Sequence, residues 1–136
     1  MNILFFLTPK SEVAYVSTDS TLQETLDIME QYRYSVVPMI DREGRYSGII
    51  TEGDLLYNMK NSFSCSIEQI SRTPISLLDT RRNYSPVSID ATLEEVFKKS
   101  MQQNFVPVVD DDNIFIGLVK RRDIIQYFYN KYIHEK

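Results

Sequence analysis

The sequence predicts an α/β domain of the layered α+β kind, built from two copies of one strand-helix-strand-strand-helix unit. The first observation is an internal repeat, in which residues 17–24 (STDSTLQE) align with residues 88–95 (SIDATLEE). The second is that residues 37–41 (VPMID) align with residues 106–110 (VPVVD), at an offset two residues shorter. We expect the copies to pack with pseudo-twofold symmetry, because neither alone buries all of its apolar faces.

Each copy is predicted to begin with a short apolar strand followed by a helix. The two strands span residues 13–16 and 86–89. Both helix starts have the spacing of a capping box, with Thr21 and Glu24 in the first copy and Thr92 and Glu95 in the second. In this motif the threonine hydroxyl accepts a hydrogen bond from the glutamate N–H, and the glutamate carboxylate accepts one from the threonine N–H. Apolar residues then recur at helical spacing, at Leu22, Leu26 and Met29 and at Leu93, Phe97 and Met101. These apolar stripes require a sheet to cover them.

A two-stranded hairpin follows each helix. The predicted strands are residues 35–40 and 46–50 in the first copy and residues 105–109 and 114–119 in the second. Gly44 and Asn113 hold equivalent turn positions, and both residue types tolerate the positive φ angle of a tight hairpin. Pro38 and Pro107 fall inside the first strand of each hairpin. Because proline has no N–H to donate, we expect each one at a strand edge or where pairing ends, beside a cleft.

Each copy closes with a second helix, at about residues 52–59 and 121–133. The predicted bounds are residues 7–60 for the first copy, 61–84 for a connector with a helical patch at 67–70, and 85–133 for the second copy, within one domain of residues 1–136. The last helix is aromatic on more than one face, at Tyr127, Phe128, Tyr129 and Tyr132. This pattern favours an interface and predicts a homodimer, the alternative being a helix packed inside its own chain.

Composition argues against several classes of function. The formal net charge of -4 and the sequence pI near 5.0 argue against electrostatic binding to the phosphates of nucleic acid. The apolar run at residues 3–7 is too short for a signal or membrane segment, so we expect a cytoplasmic protein with no membrane partner. Cys65, the only cysteine, excludes an internal disulfide and a multi-cysteine metal site, and is expected in the connector.

The inventory of reactive side chains predicts no enzyme and no metal. The only histidine, His134, lies near the end of the chain, so neither a Ser-His-Asp nor a Cys-His arrangement is available. Paired carboxylates remain a chemical possibility, but nothing singles out a pair. Residues 110–113 (DDDN) share features with a calcium loop, but Ile114 and Ile116 stand where oxygen ligands are needed, which favours a solvated turn.

The order of elements, with Val-Pro before each hairpin turn and GIITEGD (residues 48–54) after the first, resembles the CBS motif. Two copies resemble a Bateman module, and the resemblance covers about residues 7–132. Residues 13–16 (VAYV), residues 34–38 (YSVVP) and the pair Arg121-Arg122 are similar to those of stand-alone Gram-positive CBS proteins that bind cyclic di-AMP. The resemblance implies a non-catalytic module that senses an adenine nucleotide (AMP, ATP or cyclic di-AMP) and needs no other cofactor.

In that family a Thr-x-x-Asp junction faces a cleft, with threonine near a phosphate and aspartate on the ribose hydroxyls. Thr51 and Asp54 match this pattern in the first copy, and capping of the helix is their structural alternative. The second copy reads KRRD at residues 120–123, with lysine in place of threonine. Three basic residues are unfavourable at a helix N-terminus, which favours an anion-binding role. A solvated basic surface and a contact with acidic residues across a dimer are the alternatives.

Family geometry implies two ligand-binding sites, each mixing the two copies. One combines the strand segments of the first copy with the basic helix start of the second: Val13, Ala14, Tyr15, Tyr34, Ser35 and Val36 with Lys120, Arg121, Arg122 and Asp123. The other combines Val87, Asn104, Phe105 and Val106 with Thr51 and Asp54. Such strand segments supply an apolar slot and backbone groups for adenine, and the same apolar residues suit a core equally well.

The expected mechanism is regulatory. A ligand that bridges the two copies would shift their relative orientation, through its differential affinity for two states. We expect a separate effector protein to read that change, because the chain carries no recognisable effector domain. A module that dimerises or docks onto a partner without any ligand is the alternative function.

Overall fold

The computed structural model describes residues 2–61, 66–80 and 84–134. Cys65 and Asn83, both expected in the connector, lie outside the described residues. The chain is divided into two compact units. The first unit is Ala14–Asn83, and the second unit is Met1–Val13 together with Tyr84–Lys136. Each unit contains one copy of the repeat.

The described residues form seven strands and five α-helices. The strands are β1 (Leu7–Pro9), β2 (Val16–Ser17), β3 (Val36–Ile40), β4 (Tyr46–Thr51), β5 (Val87–Ser88), β6 (Phe105–Val109) and β7 (Phe115–Lys120). The α-helices are α1 (Leu22–Tyr32), α2 (Glu52–Lys60), α3 (Ile67–Ser71), α4 (Leu93–Ser100) and α5 (Arg121–Tyr129). None of these helices is long and apolar enough to cross a membrane.

The first unit joins a three-stranded sheet to α1, α2 and α3. β2 runs parallel to β3, and β3 forms an antiparallel hairpin with β4. The predicted capping box starts α1: the Thr21 hydroxyl accepts from the Glu24 N–H at 3.1 Å, and the Glu24 carboxylate accepts from the Thr21 N–H at 3.0 Å. The apolar stripe of α1 packs with the sheet, and Leu22, Met29 and Val37 lie in its buried core.

The second unit repeats this topology, with β5 parallel to β6 and β6 antiparallel to β7. Its core includes Val96 of α4 and Val106 and Val119 of the sheet. At the start of α4 the Thr92 hydroxyl accepts from the Glu95 N–H at 3.2 Å, but the returning bond to the carboxylate is not formed among the described residues. Only half of the capping box predicted there is therefore present.

The sheet of the second unit has a fourth strand, which comes from the start of the chain. β1 pairs antiparallel with β7, with Pro9 opposite Gly117, and Ile3 in the 3-10 turn before β1 lies in the second core. Residues 7–13, expected to open the first copy, thus belong to the second unit. Glycine permits this close approach, because a Cβ at Gly117 would lie 2.2 Å from the Thr8 carbonyl oxygen.

The hairpin turns and the two strand prolines have the predicted geometry. Gly44 and Asn113 have φ angles of 85° and 64°, which confirms the predicted left-handed turn positions. β2 pairs with β3 only at Met39 and Ile40, so pairing on that side ends immediately after Pro38. β5 pairs with β6 in the same way, one residue after Pro107. On this side, the backbone before each proline is therefore not paired with the neighbouring strand.

The C-terminal helix is shorter than predicted. α5 ends at Tyr129, and a π-helical turn, Asn130–His134, follows it. Tyr127 packs inside the second unit, with its ring edge-to-face on Phe6 at a centroid distance of 5.5 Å. Tyr129 and Tyr132 are exposed. The aromatic side chains of this segment thus divide between the core and the surface.

Candidate functional site

The start of α2 is a closed capping box. The Thr51 hydroxyl accepts from the Asp54 N–H at 3.0 Å, and the Asp54 carboxylate accepts from the Thr51 N–H at 2.9 Å. Asp54 is only 2% exposed. The Glu52 N–H donates to the Ser35 carbonyl at 2.9 Å, which ties the helix to the start of β3. Both predicted ligand-binding residues of the first copy therefore act as helix caps in this structure.

The equivalent start of α5 is open and basic. Lys120 stands at the N-cap position and makes no capping hydrogen bond with its side chain. Arg122 and Asp123 are exposed in the first turn, so the carboxylate equivalent to Asp54 is not buried here. A helix N-terminus carries a partial positive charge, and cations there raise the local potential further. An anion placed at this end of α5 would be stabilised by the dipole, the lysine and the arginines.

The side chain of Arg121 is held in place within the second unit. Its guanidinium donates to the Asn104 side-chain oxygen and to the Ser100 carbonyl, the latter at 3.3 Å. The Arg121 N–H also donates to the Asn104 carbonyl, at 2.9 Å. Asn104 was predicted for the site opposite Thr51, whereas here it positions an arginine predicted for the other site. A guanidinium offers five N–H donors, so these contacts leave others for a ligand.

The segments that precede β2 and β3 form the other part of the first predicted site. Because the two strands are parallel neighbours, Ala14-Tyr15 and Tyr34-Ser35 lie at the same end of the first sheet. Tyr15 and Tyr34 are 42% and 41% exposed, respectively. The Tyr34 ring stacks on the ring of Tyr32 at 5.9 Å and 19°. This end of the sheet therefore presents two exposed aromatic side chains, and Val36 next to them is half-buried.

At the corresponding end of the second sheet, Gln103 is buried where Tyr34 of the first copy is exposed. Val106 is fully buried in the core and Val87 is buried as well, as are their equivalents Val37 and Val16 in the first copy. Phe105 is half-buried and Asn104 is exposed. Val13, predicted for the first site, is half-buried and belongs to the second unit.

Two residues at this end of the second sheet were not predicted from the sequence. Gln103 is buried, and its carboxamide hydrogen-bonds to the backbone of Ser85. The signal was present in the alignment, because Gln103 and Ser85 occupy the positions of Tyr34 and Ala14 in the first copy.

An open groove of about 650 Å³ on the first unit contains none of the predicted ligand-binding residues. Its lining is Gln23, Leu26, Asp27, Met29, Glu30, Arg33 and Glu52. Three carboxylates and one guanidinium make it unfavourable for a phosphate group. Among the described residues, no cluster of histidine, cysteine, aspartate or glutamate side chains is arranged to hold a metal ion.

The family model of the CBS domain matches this chain twice, at residues 6–61 and 75–130. The chain therefore belongs to the CBS-domain family and contains two CBS domains in tandem. The first match contains the repeat segments 17–24 and 37–41, and the second contains segments 88–95 and 106–110.

A curated relative, the inosine-5'-monophosphate dehydrogenase of Aquifex aeolicus (strain VF5), is 32% identical over 114 residues, or 82% of this chain. The chain spans only 21% of that protein's length.

Solved structures share the fold over almost the whole chain. CbpB in complex with c-di-AMP is similar at a TM-score of 0.87 and 23% identity, covering 99% of this chain and 88% of that one. A CBS domain protein of Streptococcus pneumoniae TIGR4 is similar at 0.84 and 28% identity, covering 96% and 88%. CBSX2 in complex with AMP is similar at 0.76 and 20% identity, covering 96% and 97%. These likenesses confirm the predicted fold class.

Proposed function

We propose that this chain is a regulatory module that binds an adenine nucleotide and catalyses no reaction. The observation that carries the proposal is the open, basic start of α5, where Lys120 leaves the helix uncapped and Arg122 is exposed. The uncapped helix end and the cations beside it lower the stability of the fold. A bound phosphate would offset this destabilisation, because an anion interacts favourably with both. Two structures with the same fold hold adenine nucleotides, c-di-AMP in one and AMP in the other.

The proposed nucleotide contacts are those of the first predicted site, in the start of α5 and in the segments before β2 and β3. Lys120, Arg121 and Arg122 bind phosphate oxygens, and Asp123 accepts from the ribose hydroxyls. The base lies against the segments that contain Tyr15 and Tyr34, whose exposed rings offer stacking faces. The remaining members of this proposed site are Val13, Ala14, Ser35 and Val36.

Cyclic di-AMP, AMP and ATP are the candidate ligands. A cyclic dinucleotide carries two phosphates and two bases, and two adjacent arginines match its phosphates. A double substitution of Arg121 and Arg122 should therefore weaken cyclic di-AMP binding more than AMP binding. If it weakens both equally, the arginines do not select the dinucleotide.

The bound nucleotide would act by changing a surface that a separate effector protein reads, in the cytoplasm. A ligand can do this only if its affinity differs between two states of the module. A homodimer is part of the proposal, because the end of the chain exposes apolar side chains at helical spacing. They are Ile125, Tyr129, Tyr132 and Ile133. The same surface supports the second candidate function, a ligand-independent dimerisation or interaction module.

A thermal-shift series with AMP, ATP and cyclic di-AMP tests the proposal. A ligand at about 100 times its Kd should stabilise the fold by about 2.7 kcal/mol, which corresponds to a Tm increase of roughly 10 °C for a domain of this size. Arg122→Ala should weaken binding about tenfold, whereas Lys60→Ala, which removes an exposed cation at the end of α2, should leave it unchanged. Unchanged Tm values with all three nucleotides would favour the ligand-independent module.

A further inference from the structure

A buried glutamine holds the backbone of the segment that precedes β5. Gln103 is 8% exposed, and its Oε1 accepts from the Ser85 N–H at 3.0 Å. Its Nε2 donates to the carbonyls of Ser85 and Phe105, at 3.2 and 3.1 Å. The Ser85 hydroxyl also donates to Oε1, at 3.3 Å, and accepts from the Lys99 Nζ at 2.6 Å. A backbone N–H only donates and a carbonyl only accepts, so these partners determine which way the carboxamide faces.

The strand prolines explain why this backbone needs a side-chain partner. In the second unit the Ile89 N–H donates to the Val109 carbonyl at 2.8 Å, as part of the parallel pairing of β5 with β6. If the same parallel hydrogen-bond pattern continued towards the start of both strands, the N–H of residue 107 would donate to the carbonyl of Ser85. Pro107 has none, and Gln103 supplies the missing donor.

The first unit has the same gap without the glutamine. The Thr18 N–H donates to the Ile40 carbonyl at 3.0 Å, and Pro38 interrupts the pattern before it reaches Ala14. Within the described residues, the N–H and the carbonyl of Ala14 form no hydrogen bond. Tyr34 stands at the position of Gln103, with its ring exposed and stacked on a neighbouring tyrosine. A phenol donates and accepts through a single oxygen, whereas a carboxamide presents an acceptor atom beside a separate donor atom.

Adenine and a carboxamide present the same pair of hydrogen-bonding groups. The Watson–Crick edge of adenine has an acceptor at N1 beside a donor at N6, and the Gln103 side chain has an acceptor beside a donor. Gln103 therefore makes to Ser85 the two hydrogen bonds that an adenine edge would make to a free N–H and carbonyl. The equivalent groups of Ala14 remain available for a base.

We infer that Gln103 closes the base-binding position of the second copy, so that the chain offers one adenine position, at Ala14 and Tyr34, instead of two. This inference rests on the proposed function, because it concerns how many adenine bases the module accepts. The two CBS domains of this chain thus share a fold but differ in what they bind.

Binding stoichiometry with AMP, a probe with a single base, tests the inference. Gln103→Tyr gives the second copy the residue of the first, and should raise the number of AMP molecules bound per chain by one in calorimetry. Gln102→Ala removes an exposed neighbouring carboxamide and should leave the number unchanged. An unchanged number for Gln103→Tyr, with the variant folded by circular dichroism, would overturn the inference. If the native chain binds no AMP, and no ATP or cyclic di-AMP in the thermal-shift series, while Gln103→Tyr binds one AMP, the proposed function fails and the closing role of Gln103 stands.

Amide hydrogen exchange of the native protein tests the inference without any substitution. In the free protein the Ser85 amide should exchange at least about tenfold more slowly than the Ala14 amide, because only the former is hydrogen-bonded. Added AMP should slow exchange at Ala14 and leave Ser85 unchanged. Equal exchange rates in the free protein, or slowing at Ser85 on AMP binding, would show that Gln103 does not occupy the position.

Discussion

The starts of α2 and α5 occupy equivalent positions in the two CBS domains but are stabilised in opposite ways. At α2, Thr51 and Asp54 satisfy each other's backbone groups, and the carboxylate is buried. At α5, Lys120 provides no side-chain cap and Asp123 remains exposed. The first start therefore contributes to folding stability, whereas the second leaves helix-end amides and cations available to an anion. Duplication of a fold does not require that both copies keep the same function.

The units also differ at their sheet edges. In the second unit β1 adds a fourth strand beside β7. Among the described residues, the three-stranded sheet of the first unit has no counterpart of β1. We expect this edge to be the position where substitution costs the most. Gly117→Ala should destabilise the fold by about 3 kcal/mol, because the new Cβ would overlap the backbone of β1. Urea unfolding followed by circular dichroism measures the change.

Gly53→Ala is the matched control in the other unit. A Cβ at Gly53 would lie 3.5 Å from the Thr51 hydroxyl oxygen, an ordinary contact, and alanine favours a helix over glycine by about 0.5–1 kcal/mol. This control should thus be neutral or stabilising. A loss below about 0.5 kcal/mol for Gly117→Ala would mean that β1 does not pair with β7.

The locally encoded features were the ones that the sequence predicted well. The Thr21-x-x-Glu24 box and the left-handed positions Gly44 and Asn113 depend on residues a few positions apart, so their spacing alone identifies them. The pairing of β1 with β7 joins residues more than a hundred positions apart. Nothing local to residues 7–9 distinguishes one sheet edge from another, so that strand could not be placed from the sequence.

The candidate site was predicted in part for the same reason. The basic start of α5 is visible in the residues themselves, and so is its departure from Thr-x-x-Asp. The contacts of Gln103 with Ser85 and of Arg121 with Asn104 depend on the connection between α4 and β6. α4 has 8 residues and α1 has 11, so residues 101–104 form a longer connection than residues 33–35 do in the first copy. In the first copy Arg33 ends α1 in a left-handed conformation, whereas the residue after α4 remains right-handed. That difference changes which side chains reach the strand edge.

Substituting Asp54 and Asp123 one at a time should show that the two helix starts contribute differently to the stability of the fold. Asp54→Ala removes a buried cap and should destabilise the fold by about 1–2 kcal/mol, since it leaves the Thr51 N–H without its acceptor. Asp123→Ala removes an exposed carboxylate and should change stability by no more than about 0.5 kcal/mol. The free energies of unfolding in urea give both values. Equal losses would mean that the second start is capped as the first one is.

The smallest effect on stability is expected for substitutions that make the start of α5 more like the start of α2. Lys120→Thr introduces a capping hydroxyl and removes a cation from the positive end of α5, so it should stabilise the fold by about 1 kcal/mol. Lys120→Ala removes the charge without adding a cap and should gain only about 0.3 kcal/mol. The same lysine contributes to phosphate binding in the proposed site, so both variants should bind AMP more weakly than the native chain. If Lys120→Thr gains stability and keeps its full affinity for AMP, the open helix start serves some purpose other than binding the nucleotide.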